Sequence, residues 1–261
     1  MRNQAAILND LQARIARIGR GGAASGGAGL PFGVPALDAC LPEDGLSRGA
    51  LHEVHGAGAD ASHGAAAALL VAGILARAGG PVLWVSGRFD LFAPSLAGVG
   101  LGPERVLHVE AGREVLPAME EGLRHRGIGG VVGEVAGRLG LTASRRLQLA
   151  AEATGAMAFV IRRPGRPGAA PLSEPSAAAT RWRVGAVPSP PPLPWAPDTP
   201  GLGPARWRLE LLRARGGRPG AWIVEACDAQ GRLALVAELA DGSAAPEPRR
   251  ALSGGPRRAA G

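Results

Sequence analysis

The sequence contains no lysine, so all 29 of its basic residues are arginines. A chain without lysine cannot form a Schiff base through a lysine amine, and it cannot supply the lysine that binds phosphate in a P-loop. Tyrosine is also absent, and aromatic residues make up only 3% of the chain, whereas hydrophobic residues reach 46%. We therefore expect a sizeable core built from Val, Leu, Ile and Ala. The 261 residues suit one α/β domain with extra segments, or two small domains.

Acidic residues are too few to balance the arginines, and the formal net charge is +7. Such a charge favours an anionic partner, of which nucleic acid is the usual one, although a solvated arginine-rich surface gives the same composition. The longest apolar run, residues 65–76, is too short to span a bilayer, and the N-terminal segment has no secretory apolar region. These features predict a soluble cytoplasmic protein with no membrane partner.

Cysteine and histidine give no sign of a metal site. Cys40 and Cys227 lie far apart in the sequence and form no CxxC motif, so we expect two buried thiols. His52 and His55 are three residues apart in a strand-like segment, which places them on opposite faces. We therefore expect no metal and no other cofactor.

The N-terminal segment, residues 1–29, is predicted to be an amphipathic helix followed by a linker. Residues 4–18 have the helical period, and 19–29, GRGGAASGGAG, has the composition of a flexible chain. A tethered helix of this kind must bury its apolar stripe, either on its own core or on another protein chain. We expect this interaction helix to act through Leu8, Leu11, Ile15 and Ile18.

Residues 30–240 alternate strand-like and helix-like segments. This alternation predicts a mainly parallel central sheet with helices on both faces. The predicted strands of the parallel part are 50–55, 82–86, 106–110, 131–135 and 158–162, and the predicted helices are 65–78, 115–126 and 143–154. Antiparallel strands at one edge of the sheet are predicted at 207–214, 222–227 and 233–239, with a hairpin turn at 216–220.

Two segments interrupt this α/β pattern. Residues 164–204 are rich in proline, which predicts a long irregular excursion that is neither a helix nor a central strand. Residues 241–261 consist largely of Pro, Gly, Ala and Arg and predict a disordered tail.

The segment after the strand at 50–55 has the element order of a phosphate-binding P-loop, namely a strand, a glycine-containing loop and a helix N-terminus. A working loop reads GxxxxGK[ST]. Counting from Gly56, the second glycine is missing, Ser62 replaces the lysine, and His63 replaces the serine or threonine. Asp60 adds a negative charge where phosphate would bind. We therefore expect a degenerate nucleotide site that neither binds ATP tightly nor hydrolyses it.

The residues before this loop resemble the lead-in to the P-loop of the RecA family. Segment 33–41, GVPALDACL, is similar to the G-x-x-x-L-D-x-x-L pattern of that family, and 45–54, GLSRGALHEV, is similar to its G-L-x-x-G and following strand. Segment 96–107, LAGVGLGPERVL, is similar to the helix and turn after the third strand. The resemblance covers about residues 30–240 and implies a RecA-like core.

The pattern of the RecA family also shows which catalytic groups this chain lacks. The glutamate that polarises the attacking water falls at or near Arg88, and the Walker B aspartate falls at Gly133. Glu134 follows and could bind magnesium in principle, but nothing else needed for that site is present. Three separate parts of one catalytic site are missing, so we expect no enzyme activity.

The chain is identified as a member of the ImuA family, a RecA-like group that includes the SulA cell-division inhibitors. The similar segments are HEVHGAGADA (52–61), VVGEV (131–135), LTASRRLQLAAEATGA (141–156), AATRWRV (178–184) and RWRLELLRARGGRPGAWIVE (206–225). The resemblance implies an accessory role in DNA repair during the SOS response to DNA damage, in error-prone translesion synthesis. Its implied partners are ImuB, a catalytically inactive homologue of Y-family polymerases, and an error-prone DNA polymerase.

The sequence is also compatible with other functions. The chain could instead be a regulator that binds RecA, or a SulA-like inhibitor in the SOS response. An active RecA-type ATPase is disfavoured by the degenerate P-loop.

An arginine-rich stretch supplies the candidate binding residues. Residues 160–220 hold ten arginines and three acidic residues. Ligands of open α/β sheets bind at the carboxyl ends of the strands, and we expect an anion-binding surface there. Its partner could be DNA or an acidic protein. The predicted members are Arg162, Arg163, Arg166, Arg181 and Arg183.

The tryptophans of this stretch allow two interpretations. Trp182 or Trp207 could stack on the bases of a nucleic acid. The strand-like alternation around Trp207 and Trp222 instead favours core positions for these two side chains.

Overall fold

The structure of the chain is a computed structural model, and it describes residues 29–88, 90–163 and 174–239. The strands are β1 (Leu51–Gly56), β2 (Val82–Ser86), β3 (Val106–Glu110), β4 (Gly130–Ala136), β5 (Met157–Arg163), β6 (Thr180–Val187), β7 (Arg206–Ala214), β8 (Gly220–Glu225) and β9 (Ala234–Leu239). The helices are α1 (Pro35–Asp38), α2 (Asp60–Ala78), α3 (Pro94–Ala97), α4 (Val115–Leu123) and α5 (Leu141–Thr154), with 3-10 turns at Pro42–Asp44 and Pro103–Arg105.

The strands form one sheet in the order β3-β2-β4-β5-β1-β6-β7-β8-β9. The strands from β3 to β6 in this order are parallel, and β7, β8 and β9 pair in antiparallel fashion. Parallel neighbours need long crossovers, which α2, α4 and α5 supply, whereas β7 and β8 are joined by a short turn. The predicted mainly parallel sheet with an antiparallel edge is confirmed.

Helices cover both faces of the sheet, as predicted. Helix α2 packs on β1, β5 and β6 and contributes to a core that includes Leu70 and Ile74. Helices α4 and α5 cover the opposite face, where Met119 and Leu147 are buried. The two cores lie on either side of the parallel strands, so both faces of these strands are apolar over much of their length.

Most of the tryptophans belong to the core. Trp207 and Trp222 are 3% and 0% exposed, which confirms the core positions inferred from strand alternation. Trp182 is 1% exposed and packs beside Phe32, with ring centroids 5.3 Å apart. A base-stacking role for Trp182 or Trp207 is therefore wrong, because both indoles are buried among protein side chains.

Strand β6 corrects the prediction that residues 164–204 contain no central strand. It lies between β1 and β7, and it is parallel to β1. The densest run of prolines in this stretch begins at Pro188, after the strand has ended. Residues 180–187 contain no proline, but arginines at positions 181 and 183 interrupt the apolar pattern expected of a central strand.

The lead-in similar to the RecA family forms a cap on the core. Its aspartate, Asp38, accepts hydrogen bonds from the backbone N–H groups of Phe32, Gly33 and Val34 at 2.6, 2.9 and 3.1 Å. Leu37 is completely buried beside it. The L-D pair therefore holds the chain in place before β1, the leucine by packing and the aspartate by ordering the turn.

Some predictions lie outside the described residues. They are the interaction helix with Leu8, Leu11, Ile15 and Ile18, nearly all of the linker, Arg166, and the tail at 241–261. In the described part of the chain, the helices are too short or too polar for any of them to cross a membrane.

Candidate functional site

The loop between β1 and α2 lies where a P-loop would bind phosphate, and the ring of His63 packs into it. A Cβ atom built on Gly56 would lie 3.0 Å from His63 Cβ, and one built on Gly58 would lie 3.1 Å from His63 Cδ2. His63 Nδ1 accepts a hydrogen bond from the backbone N–H of Ala186 at 3.1 Å. The imidazole therefore ties the loop and α2 to the end of β6. Ser62, at the position of the lysine, lies in the first turn of α2.

Asp60 is the first residue of α2 and places a carboxylate at the N-terminus of that helix. A helix N-terminus attracts anions, which is why phosphates bind there in P-loop proteins. The Asp60 carboxylate lies so close to Gly64 that a side chain at Gly64 would collide with it. Arg163 Nη1 forms an ion pair with Asp60 Oδ2 at 2.6 Å. The chain itself thus supplies both an anion for this helix end and a cation for that anion.

Glu134, near the end of β4, is 6% exposed and has partners for both carboxylate oxygens. Trp84 donates its indole N–H to Oε1 at 2.8 Å. Arg163 donates to Oε2 from Nε at 2.8 Å and from Nη2 at 2.5 Å. Both carboxylate oxygens of Glu134, the candidate magnesium ligand, are therefore engaged by protein side chains.

The position of the Walker B aspartate is closed by packing. It corresponds to Gly133, and Met119 of α4 lies against it so closely that a Cβ at this position would overlap its thioether. Neighbouring side chains of a strand point to opposite faces. Gly133 therefore faces the core under α4, while Glu134 faces Trp84 and Arg163.

Asp90 completes a cluster of three carboxylates around one guanidinium. Arg163 Nη2 lies 2.9 Å from Asp90 Oδ1. Burial alone would lower the pKa of Arg163, but the charge and hydrogen bonds of Glu134, followed by Asp60 and Asp90, raise the pKa overall. Arg163 is consequently a permanent internal cation. A cleft of about 520 Å³ opens beside this cluster, and Arg88, Arg113 and Arg138 also line it.

A RecA-like fold implies an ATP and magnesium site, but these residues do not fit one. The imidazole of His63 packs against the loop that would surround the phosphates, and Asp60 would repel them. Trp84 and Arg163 engage the two carboxylate oxygens of Glu134. Arg163 bridges three carboxylates, and a bound nucleotide would first have to displace these contacts.

A second ion cluster is buried within the sheet, where β1 lies between β5 and β6. Glu53 is 0% exposed, and its Oε2 lies 3.7 Å from Arg162 Nη1 and 3.3 Å from Arg181 Nε. Arg162 also donates to the carbonyl of Gly137, and Arg181 donates to Ser176 Oγ at 3.0 Å. These two arginines stabilise a buried carboxylate on the central strand.

Arg183 belongs to a third group with Glu210 of β7. It forms an ion pair with Glu210, and Arg208 Nη2 lies 3.1 Å from the other oxygen of that carboxylate. Burial acts to raise the pKa of Glu210, but hydrogen bonding and the charge of Arg183, with help from Arg208, lower the pKa overall. Arg183 keeps 40% of its side-chain exposure.

The predicted single arginine surface is therefore corrected. Arg162 and Arg181 are buried with Glu53, and Arg163 lies inside the carboxylate cluster, so these three do not form an exposed anion-binding face. Arg183 is partly exposed, and Arg166 lies outside the described residues. The parallel strands do bring Arg162 and Arg163 to the carboxyl edge of the sheet as expected, but acidic side chains meet them there.

His52 and His55 are buried within the sheet. His52 contacts Thr180 Oγ1 at 2.8 Å and packs on Phe159, with ring centroids 5.1 Å apart. Burial lowers the pKa of His52 to about 4, and burial likewise lowers the pKa of His55 to about 4. In the described ranges, no group of His, Cys, Asp and Glu has the arrangement of a metal site. Cys40 and Cys227 are both buried, and burial raises the pKa of the Cys227 thiol to about 12.

Sequence reasoning missed several residues that build these clusters. The sequence pattern places Trp84 in a strand without a further role, and it gives no role to Asp90. Glu53 carried a usable signal, because a carboxylate in a completely buried strand requires a partner. Asp90 carried none, because its contact with Arg163 joins residues 73 positions apart.

Comparisons with known proteins agree with the fold and the sequence pattern. No family model matches the chain. The chain is 46% identical over 225 residues to Protein ImuA of Caulobacter vibrioides strain NA1000 / CB15N, with 81% of this chain and 90% of that protein covered. The same values hold for Protein ImuA of strain ATCC 19089 / CIP 103742 / CB 15 of that species. The crystal structure of the RadB recombinase matches with a TM-score of 0.56 at 16% identity, covering 80% of this chain and 100% of that one.

The strand order, the two helical layers and the likeness to the RadB recombinase define a protein with the RecA-like fold. Its loop after β1 has the place of a P-loop but is occupied by protein side chains. The chain is 46% identical in sequence to the two Caulobacter proteins over most of their length and its own, so it belongs to the ImuA family.

Proposed function

We propose that this chain is a non-catalytic accessory protein of SOS-induced, error-prone translesion DNA synthesis. It acts after DNA damage in the cytoplasm, as an adaptor between ImuB and an error-prone DNA polymerase. Membership of the ImuA family supports the process. The degenerate nucleotide site supports an adaptor role in place of ATP-driven work.

The observation that carries the proposal is the contact of Arg163 with Glu134, at 2.5 and 2.8 Å. In an ATPase of this fold, an acidic side chain at the end of β4 helps to hold the magnesium ion. Here a guanidinium from the neighbouring strand β5 holds that carboxylate, and the same guanidinium pairs with Asp60 at the start of α2. A site arranged in this way stabilises the fold without a nucleotide.

The proposal is tested by binding and turnover with the purified chain. Immobilised protein is incubated separately with ImuB and with RecA from the same organism, and ATP hydrolysis is measured with and without single-stranded DNA. We expect ImuB to be retained and RecA to be washed through. Hydrolysis should stay at the background rate, and Glu134→Gln should leave that background unchanged.

Two results would change the assignment. Retention of RecA without ImuB would make the chain a regulator of RecA. ATP hydrolysis would contradict the non-catalytic role if single-stranded DNA stimulates it and Glu134→Gln abolishes it. Active RecA in the same assay provides the positive control.

A further inference from the structure

Trp195 differs from every other tryptophan of the chain, because its side chain is 80% exposed. Leu202, seven residues further on, is 84% exposed. An indole buries roughly 150–250 Å² when it enters a core or an interface, so leaving one in water forgoes a large stabilisation. Core packing does not explain these two side chains. The four tryptophans with 3% exposure or less are Trp84, Trp182, Trp207 and Trp222.

Both residues lie on the connection between β6 and β7, which we call the proline loop (residues 188–205). Eight of the seventeen residues from 188 to 204 are prolines. Each proline fixes its own φ angle and restricts the residue before it. The loop therefore has little conformational entropy to lose when a partner binds, which favours affinity.

Backbone hydrogen bonds close the proline loop on itself. The N–H of Gly203 donates to the carbonyl of Pro190 at 2.9 Å, which joins the two arms at their base. Near the tip, the N–H of Ala196 donates to Leu193 O at 3.1 Å, and that of Thr199 donates to Ala196 O at 3.0 Å. Trp195 is thus held within a turn at the tip.

The charge of the proline loop indicates what kind of partner it suits. Asp198 is the one charged residue between positions 188 and 205. Proteins that stack bases on aromatic side chains combine them with Arg or Lys against the phosphates. A nearly uncharged loop with a negative residue beside its tryptophan does not suit DNA. Proline-rich segments with apolar anchors instead bind aromatic-lined grooves of other proteins.

We infer that the proline loop is a docking site for a protein partner with an apolar, aromatic-lined groove, and that Trp195 and Leu202 are its two anchors. This inference rests on the proposed function, in which the chain acts through protein contacts, and it assigns the contact with ImuB to this loop. Tryptophan is among the residues that most often dominate the binding energy of an interface.

The test measures the affinity of the full chain for ImuB by titration calorimetry. Trp195→Ala should raise Kd at least about 30-fold, the effect of losing one interface hot spot. Trp195→Phe should lose less, because it keeps an aromatic ring. Both variants should keep the wild-type thermal midpoint, since the side chain contributes nothing to the core.

Phe92→Ala is the matched control. Phe92 is also an exposed aromatic residue, at 71%, and it follows β2. Strands β2 and β6 are four positions apart in the sheet, about 19 Å, so the control probes a distant surface. Its Kd for ImuB should equal that of the wild type. A second readout is acrylamide quenching of tryptophan fluorescence, which should fall when ImuB covers Trp195.

The outcomes separate this inference from the proposed function. If the wild type binds ImuB and Trp195→Ala binds equally well, the docking site is wrong and the adaptor role stands. If the wild type does not bind ImuB, both are rejected. If Trp195→Ala weakens binding to an oligothymidine strand but not to ImuB, the loop is a base-stacking site and the inference is overturned.

Discussion

Replacing Arg163 by alanine should destabilise the fold by an amount that can be worked out from its contacts. Breaking a buried ion pair costs about 3–5 kcal/mol, because one charge stays buried without a partner. Glu134 is that charge, with 4% of its side chain exposed. Asp60 and Asp90 keep 36% and 33% exposure, so water screens them once the guanidinium is gone. We expect a loss of about 2–3 kcal/mol in the free energy of unfolding.

A double-mutant cycle isolates the contact between Arg163 and Glu134. Glu134→Gln removes the charge but keeps an acceptor for the indole N–H of Trp84. In that background, Arg163→Ala should cost about 1 kcal/mol or less, because no buried carboxylate is left unpaired. Urea unfolding of the wild type, the two single variants and the double variant gives the coupling energy. Additive losses, within about 0.5 kcal/mol, would refute the reasoning.

Arg88→Ala is the control for this cycle. Arg88 contacts Asp90 at 3.3 Å but is 81% exposed. Exposed ion pairs contribute little, so its unfolding curve should match that of the wild type. A loss as large as that of Arg163→Ala would mean that the cluster stabilises the fold mainly through Asp90.

Three further predictions follow from buried groups. Glu53→Gln should lower stability by about 3 kcal/mol in urea unfolding, because Arg162 and Arg181 would share no carboxylate; a change below about 1 kcal/mol would contradict this. His52 and His55 have folded pKa values lowered to about 4, so the unfolded chain takes up their protons first as pH falls. Stability should therefore drop by about 2 kcal/mol per histidine between pH 7 and pH 5, and His55→Gln should remove one of these two contributions. Trp84→Phe should cost about 1–3 kcal/mol by leaving Glu134 Oε1 without its donor, whereas an unchanged unfolding midpoint would show that this hydrogen bond is dispensable.

The fold could be predicted to a large extent from hydrophobic patterning. The bounds of β2 and β3 agree with the predicted 82–86 and 106–110, because short apolar strands between turn residues carry a local signal. Strand β6 could not be recognised in this way. Its arginines at 181 and 183 are neutralised by Glu53 and Glu210, which lie on other strands, so the sequence alone presents them as surface charges.

The candidate site could be predicted only where its residues are close together in the sequence. The degenerate loop was recognisable, because a P-loop is a continuous motif and each altered position can be counted from Gly56. The ion pairs of Arg163 could not be predicted, because its partners come from α2, β4 and the residues after β2. Only the pairing of β4 with β5, in which Ala136 lies beside Arg163, brings that guanidinium near Glu134.

The most direct test of the account is a calorimetric titration of the purified chain with ATP and magnesium, in which the heat of binding is measured. The contacts of Arg163 with Asp60 and Glu134 predict no saturable heat of binding up to about 1 mM nucleotide. Any binding of ATP would then be weaker than that of a functional nucleotide site. A saturable Kd in the micromolar range that Glu134→Gln abolishes would contradict it, since ATP would then use the carboxylate that we assign to Arg163.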